Sequence, residues 1–225
     1  MLVGLISDVH SNAIALKAVL SKLDKMGVEK ILHAGDIVGY NPYPNETVEL
    51  FKKDRIISIL GNHERALNTG DISDFNPYAA AALVWTKKNI SPENLQYFLE
   101  LKNRESISLN NKRIVLIHGS PRDVDEYIYP ENASAHFLAS AEADVLVLGH
   151  THVQFKKEFS LGTVINPGSV GQPRDENPDA AFAVYDSATG EIKLHRTRYD
   201  IEKVIKDMHS AHLPDKLGMR LRLGL

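Results

Sequence analysis

Residues 2–7 (Leu-Val-Gly-Leu-Ile-Ser) form an unbroken apolar run that turns polar at Ser7-Asp8, as a strand buried on both faces does. Ser11 or Asn12 can cap the helix that follows. Its Leu16, Val19, Leu20, Leu23 and Met26 recur on one face at helical spacing, and Gly27 stops it. Lys30–Ala34 reads as the next strand, Asn45–Lys53 behind Pro44 as the next helix, and Arg55–Leu60 as a third strand. This β-α-β-α-β opening implies parallel strands joined by right-handed crossovers.

Residues 77–101 read as helical in two pieces, alanine-rich Tyr78–Asn89 and a second helix from Ser91 through Glu93–Leu101 behind Pro92. Ser106–Leu109 and Arg113–Ile117 are predicted strands on either side of the turn dipeptide Asn110-Asn111. Asn132–Ser140 is a predicted helix and Asp144–Leu148 another buried strand. From there to Arg198 the segments 153–159, 163–166, 180–186 and 191–198 read as antiparallel strands, and a helix near 201–211 closes the body. No repeat, low-complexity stretch or Gly/Ser linker interrupts the 225 residues, which predicts a single domain over 1–225.

Composition narrows the chemistry. Apolar residues at 43% and charged residues at 24% are an ordinary globular mix, which excludes a disordered chain, a collagen or a coiled coil. Against 29 acidic residues stand 26 Lys and Arg, a formal charge of −3 that disfavours a nucleic-acid-binding protein. Cysteine is 0, so there is no disulfide framework, thiolate metal site or thiol nucleophile, and any metal falls to imidazole, carboxylate or amide. Histidine, by contrast, is 10. No run approaches the roughly 18 apolar residues of a membrane span. The N-terminus lacks the basic flank and small-residue cleavage site of a signal peptide, so a cytoplasmic location without membrane attachment is the expectation.

Five polar clusters follow predicted strands directly: Asp8-Val9-His10, Gly35-Asp36, Gly61-Asn62-His63-Glu64, His118-Gly119 and Gly149-His150-Thr151-His152. Sites in open α/β sheets form outside the carboxyl ends of the strands, so five separate stretches deliver Asp, His and Asn to one edge. Asp36 follows Asp8 by 28 residues and Asn62 follows Asp36 by 26, about one crossover each. Residues i and i+2 of an extended segment point the same way, so Asp8 with His10, and His150 with His152, can converge on one ion. Each cluster alone is weak: Asp-x-His and Gly-Asp occur by chance, and Asn62 could simply cap a helix. The ordered set carries the inference, and its carboxylate-plus-imidazole chemistry suits Mn, Fe, Zn or Ni in two adjacent sites.

This ordered set resembles the calcineurin-like metallophosphoesterase superfamily, whose pattern is Asp-x-His, Gly-Asp, Gly-Asn-His-[Asp/Glu], a later His and Gly-His-x-His, over roughly residues 5–152. Val164-Ile165-Asn166-Pro167-Gly168-Ser169 also looks like the small bacterial and archaeal phosphodiesterase branch. Gly35-Asp36-Ile37-Val38-Gly39-Tyr40 departs from the commoner Gly-Asp-x-x-Asp and lacks its second carboxylate. The resemblance implies a four-layer α/β/β/α sandwich with two mixed β-sheets. It implies one metal held by Asp8, His10, Asp36 and His152, and a second by Asp36, Asn62, His118 and His150, with Asp36 bridging. Two divalent ions about 3.5–4 Å apart, Mn²⁺ foremost, would then generate a bridging hydroxide that attacks phosphorus. His63, protonated, would stand beside the leaving group as acid. The implied reaction is hydrolysis of phosphodiesters, with phosphomonoesters as a further class, and Asp36 and His63 are the central residues. Protein serine/threonine phosphatase, dinucleoside-polyphosphate hydrolase and non-catalytic protein-binding scaffold are the alternatives on this fold.

Outside these motifs, His33 reads as a core histidine, and His136, His195, His209 and His212 as solvated or packing residues. Arg65, Arg122 and Arg174 are candidate clamps for a substrate anion, each weighed against a surface role. Gly168-Ser169-Val170-Gly171 is better read as a turn than as a phosphate cradle, and the loop 119–130 with Tyr127 and Tyr129 as a possible lid. The Arg/Leu alternation in 213–225 points to packing on the body or on a second copy of the chain. The expected partners are therefore a small-molecule or protein-borne phosphoester, and a second subunit if the chain is a homo-oligomer.

Overall fold

The computed structural model describes residues 1–225, and its strands pair into two five-stranded mixed sheets. In the first, β1 (Leu2–Ile6), β2 (Lys30–His33) and β3 (Ile57–Ser58) run parallel, and β9 (Ala180–Asp186) and β10 (Ile192–Thr197) extend it antiparallel on the β1 side. In the second, β5 (Lys112–Ile117), β6 (Val145–Val147) and β8 (Gly162–Asn166) are parallel, edged by antiparallel β4 (Arg104–Leu109) and β7 (Phe155–Phe159).

Period-two alternation assigns the faces. Val3 and Leu5 of β1, Ile114 and Leu116 of β5, and Val145 and Val147 of β6 meet Leu32, Ile165, Ala183 and Tyr185 between the sheets. The intervening Val115, Leu146 and Val164 turn outward onto Phe137, Leu138 and Ala141 of α6 (Ala135–Ala141). Beyond the first sheet, α1 (Ala13–Lys25) and α2 (Pro44–Lys53) press Leu16, Val19, Leu23, Val48 and Phe51 against Ile6, Phe182 and Val184. The layers are thus α/β/β/α. Full burial of each such side chain is worth roughly 1.5–3 kcal/mol, which is what holds a strand as short as β6. No helix is long and apolar enough to cross a membrane.

The sequence expectations fail in instructive places. Arg55–Leu60 contributes only Ile57–Ser58 to the ladder. Arg55 sits in a left-handed turn after α2, and the Leu60 N–H donates to the carbonyl of Lys102, outside the sheet. The second half is not wholly antiparallel, because β8 lies parallel to β6 and antiparallel only to β7. β8 buries Val164, Ile165 and Asn166, whereas β7 exposes alternate residues, so the more buried strand takes the inner position. The Arg/Leu alternation of the last residues belongs to α8 (Asp215–Leu223), a helix. Its Leu217 and Leu221, four residues apart, pack with Val204 and Met208 of α7 (Ile201–Ser210), Ala79 and Ala82 of α4 (Pro77–Asn89), and Tyr40. Of the two settings expected for this segment, it takes the body of the molecule.

Candidate metal centre and active site

The parallel strands of both sheets end at one edge, and the motif residues lie just past them. Asp8 and His10 follow β1, Asp36 follows β2, His118 follows β5, and His150 and His152 follow β6, while Asn62 and His63 open α3 (Asn62–Thr69). Asp8, His10, Asp36, His150 and His152 all have positive φ, between 47° and 68°. For side chains with a Cβ this left-handed backbone costs about 1–2 kcal/mol per residue, and its concentration here marks a site whose geometry is imposed by its surroundings. Gly61 meets a different demand, since a Cβ there would run into the carboxylate and backbone N of Asp36.

The side chains converge in three overlapping clusters: Asp8, His10 and His152; His10, Asp36 and His63; and Asp36, His118 and His150. The Nε2 of His152 lies 3.4 Å from Asp8 Oδ1 and 3.0 Å from Nε2 of His10, which is itself 3.5 Å from Asp36 Oδ2. On the other side of Asp36, Nε2 of His118 lies 3.3 Å from Oδ2, 3.1 Å from Asn62 Oδ1 and 3.2 Å from Nδ1 of His150. Asn62, expected as a possible helix cap, instead begins the helix behind Gly61 and turns its amide oxygen to this cluster.

Backbone carbonyls fix the rings. His10 Nδ1 donates to Val38 O at 3.0 Å, His118 Nδ1 to Ala34 O at 2.8 Å and His152 Nδ1 to Gln172 O at 2.6 Å. A carbonyl only accepts, so each Nδ1 carries a proton and each ring turns its Nε2 into the cluster, the nitrogen that a metal-ligating imidazole offers. The strand after the last histidines supplies further support. Asn166 Nδ2 donates to Gly149 O at 2.7 Å, and Ser169 Oγ donates to Asp8 O at 2.7 Å. Gly168, at positive φ, and Ser169 lie in irregular backbone after β8, where the Ser169 hydroxyl braces the Asp8 loop.

Glu64 is the residue that motif reasoning leaves without a task. It is buried, and its carboxylate accepts from the N–H groups of Asp36 (3.1 Å), Val38 (3.0 Å) and Gly61 (2.9 Å), tying the Asp36 loop to α3. Its place three residues after the helix N-cap was the available signal, because a glutamate there reaches back to the cap N–H.

Electrostatics suit a cation. Burial pushes Asp8 up to about 7. Burial, reinforced by neighbouring positive charge, holds His10 and His152 well below the usual imidazole range and brings His150 down to about 3. Burial also opposes the charges of Asp36 and His118, yet each favours the other's ion: Asp36 lies well below the carboxylate range and His118 is raised to about 9. Buried oxygens that need positive charge, beside the neutral imidazoles of His10, His150 and His152 and beside His118, whose Nε2 proton a metal would displace, are the hard-to-borderline donor set of divalent metals. The residues present fit such an ion.

A cleft of about 520 Å³ opens over the clusters, lined by Tyr40, Asn62, Arg65, Phe75, Tyr127 and His150 among others. A groove of similar size, about 550 Å³, lies between α7 and α8 and contains none of the three clusters. Tyr127, on the loop read as a possible lid, sets its ring 3.9 Å from that of His150. His63 stands between Tyr40 at 4.8 Å and Phe75 at 5.1 Å, with its Nε2 4.0 Å from Asp36 Oδ2. Arg65 lines the cleft but is ion-paired to Asp125. Arg122 is exposed, pairs with Glu126, lies over the Phe137 ring and does not line the cleft. Arg174 donates from Nη2 to the Tyr40 hydroxyl at 3.2 Å and to Gln172 Oε1 at 3.0 Å.

Two mixed sheets in a four-layer sandwich, with Asp, His and Asn gathered at their strand ends, define a metallophosphoesterase-like protein. The family profile described as a calcineurin-like phosphoesterase superfamily domain matches residues 1–190, and the chain belongs to that superfamily. It is 36% identical to the uncharacterized protein MJ0912 of Methanocaldococcus jannaschii over 99% of this chain and 98% of that protein. The crystal structure of a metallophosphoesterase from Sphaerobacter thermophilus superposes with a TM-score of 0.86 at 36% identity, covering 100% of this chain and 99% of that one. A more distant relative is the phosphodiesterase YfcE of Escherichia coli, 24% identical over 80% of this chain and 85% of its own length.

Proposed function

We propose that this protein is a metal-dependent phosphoesterase that hydrolyses phosphodiesters, with phosphomonoesters as a second class of substrate. The observation that carries the reading is the orientation of His10, His118 and His152: each Nδ1 is spent on a backbone carbonyl and each Nε2 turns toward Asp8 or Asp36. Asp8, His10, Asp36 and His152 would hold one divalent ion, and Asp36, Asn62, His118 and His150 a second. Such a pair supplies Lewis acidity toward the phosphoryl oxygens and lowers the pKa of water toward neutrality. Mn²⁺ heads the candidates, with Fe, Zn and Ni also suited to this donor set.

The chain's own residues do the rest. Asp36 lies between the two halves of the ligand set and so fixes their relation. His63 stands beside Asp36 at the cleft, where it can hand a proton to the departing oxygen. Burial lowers the free ring to about 4, so it is neutral in the protein alone, and only a negative charge placed beside it favours its protonation. Tyr127 and Phe75 line the cleft and present aromatic faces beside the site of reaction. The name of the YfcE relative supports the preference for diesters. The test is a panel with Mn²⁺ supplied: bis-p-nitrophenyl phosphate, p-nitrophenyl phosphate, cyclic nucleotides and dinucleoside polyphosphates. Turnover of the diester above the monoester is expected, and no turnover of any of them sinks the reading.

A further inference from the structure

We propose that Arg65 binds the phosphoryl group of the substrate and that Asp125 is its built-in competitor: the free protein pairs the two, and an entering phosphoester displaces the Asp125 carboxylate. This rests on the phosphoesterase reading and adds a substrate-binding residue and its restraint to that same site. Arg65 is the only lysine or arginine lining the cleft, whose other ionic side chains are Asp71, Asp74 and Asp125. An anion that reaches Asn62 and His150 on the same wall therefore meets one guanidinium and three carboxylates. Asn62 and Arg65 stand three residues apart on α3, so their side chains are neighbours on one face of the helix. The amide oxygen of Asn62 lies 3.1 Å from Nε2 of His118, which puts Arg65 within a side chain's reach of a group bound at that cluster.

That guanidinium is already engaged. Its Nη2 donates to Oδ1 of Asp125, the one ion pair that joins the 119–130 loop to α3. Asp125 is presented by the loop's own bonding. Its N–H donates to Asp123 Oδ1 at 2.9 Å, the Ser120 N–H donates to Asp123 O at 2.8 Å, and Arg122 Nε donates to Glu126 Oε2 at 2.7 Å. The loop also leaves His118 in a tight fold, because a Cβ on Gly119 would run into the carbonyl of Val124, next to Asp125. A carboxylate is thus delivered to the cleft's sole cation by a segment that starts at a candidate metal ligand.

The exchange is cheap in one direction and favourable in the other. Asp125 is half-exposed, and water screens ion pairs at such positions so that they contribute little. Releasing it leaves the loop anchored elsewhere, by Ile128 buried against α6 and by the Tyr127 ring over His150. A phosphoryl group held at the metal centre offers Arg65 a doubly placed acceptor, fixed by the ions as well as by the guanidinium, and charge-assisted bonds of this kind are among the strong ones. Until an anion arrives, Asp125 keeps the guanidinium oriented in the cleft.

The test is calorimetric binding of methylphosphonate to Mn²⁺-loaded protein at fixed ionic strength, in the wild type, Asp125→Asn, Arg65→Gln and the double variant. Asp125→Asn should bind about three- to fivefold tighter than wild type, and Arg65→Gln about tenfold weaker. In the Arg65→Gln background the Asp125 substitution should change nothing, since the competitor has lost what it competes for. A pair that only held the loop in place would weaken binding from either side. Simple repulsion by the acidic rim would give the same gain in both backgrounds. Either result would overturn the exchange, as would binding too weak to detect in both the wild type and Asp125→Asn. Hydrolysis of bis-p-nitrophenyl phosphate is scored separately on the same preparations. Its absence with every divalent ion would defeat the phosphoesterase reading, while the order of the four affinities still decides the exchange.

Discussion

His63 differs from the other motif histidines in what its ring touches. His10, His118 and His152 each spend Nδ1 on a carbonyl, whereas Nδ1 of His63 is buried without a partner and its ring is enclosed by aromatic groups. A proton donor is needed most when the departing alkoxide is a poor leaving group. His63→Ala should therefore leave p-nitrophenyl ester turnover within a few-fold of wild type while lowering that of alkyl esters by about 10²–10⁴-fold. Equal losses on both classes would remove His63 from the leaving-group side. His33 makes a contrasting case. It is buried in β2, hydrogen-bonded to Ser58 Oγ at 2.8 Å, and burial lowers its pKa to about 3. The unfolded chain binds this proton near pH 6.5 and the folded chain does not, so acidification from 6.5 toward 3 favours unfolding. The cost is about 1.4 kcal/mol per pH unit at most. Urea unfolding of metal-free protein at pH 7.5 and 5.5 should show a smaller acid loss for His33→Gln than for wild type, and equal losses would refute the assignment.

At the scale of elements, the loop between β2 and α2 owes its shape to Glu64 on α3. Truncation to Ala leaves three buried N–H groups without an acceptor, and second-layer partners of metal sites typically contribute 10–100-fold in affinity. Glu64→Ala should weaken Mn²⁺ binding by about that factor in calorimetry, and unchanged affinity would show that the loop holds itself. α8 is bound to the body through Leu217 and Leu221, so Leu221→Ala should cost about 2–5 kcal/mol in denaturant unfolding. The first two strands and α1 were legible because an apolar run or a helical stripe is a local signal. The parallel pairing of β8 was not, because the order of β7 and β8 depends on which strand is the more buried. α8 escaped for a related reason: Leu221, Leu223 and Leu225 look alternating, and only the i, i+4 pair Leu217 and Leu221 is buried.

For the whole molecule, the formal charge of −3 and the acidic side of the cleft disfavour a polyanionic track. Small or protein-borne phosphoesters are the expected substrates, and duplex DNA should be left intact under conditions that turn over bis-p-nitrophenyl phosphate. The candidate centre was readable in the sequence to the extent that its ligands sit in short motifs at strand ends, a position the fold puts on one edge. What was not readable joins residues far apart in the chain: Tyr40 with Arg174, 134 positions away, or Asn12 with Gly171, 159 away. Such pairs exist only once both sheets and the returning loop are in place. The central claim is that Asp36 and its neighbours hold metal that turnover requires. Its most direct measurement is bis-p-nitrophenyl phosphate hydrolysis by chelator-stripped protein titrated with Mn²⁺, wild type beside Asp36→Ala. The expected result is no turnover after stripping, saturable recovery in the wild type and none in the variant. Turnover that survives stripping, or equal recovery in Asp36→Ala, would contradict it.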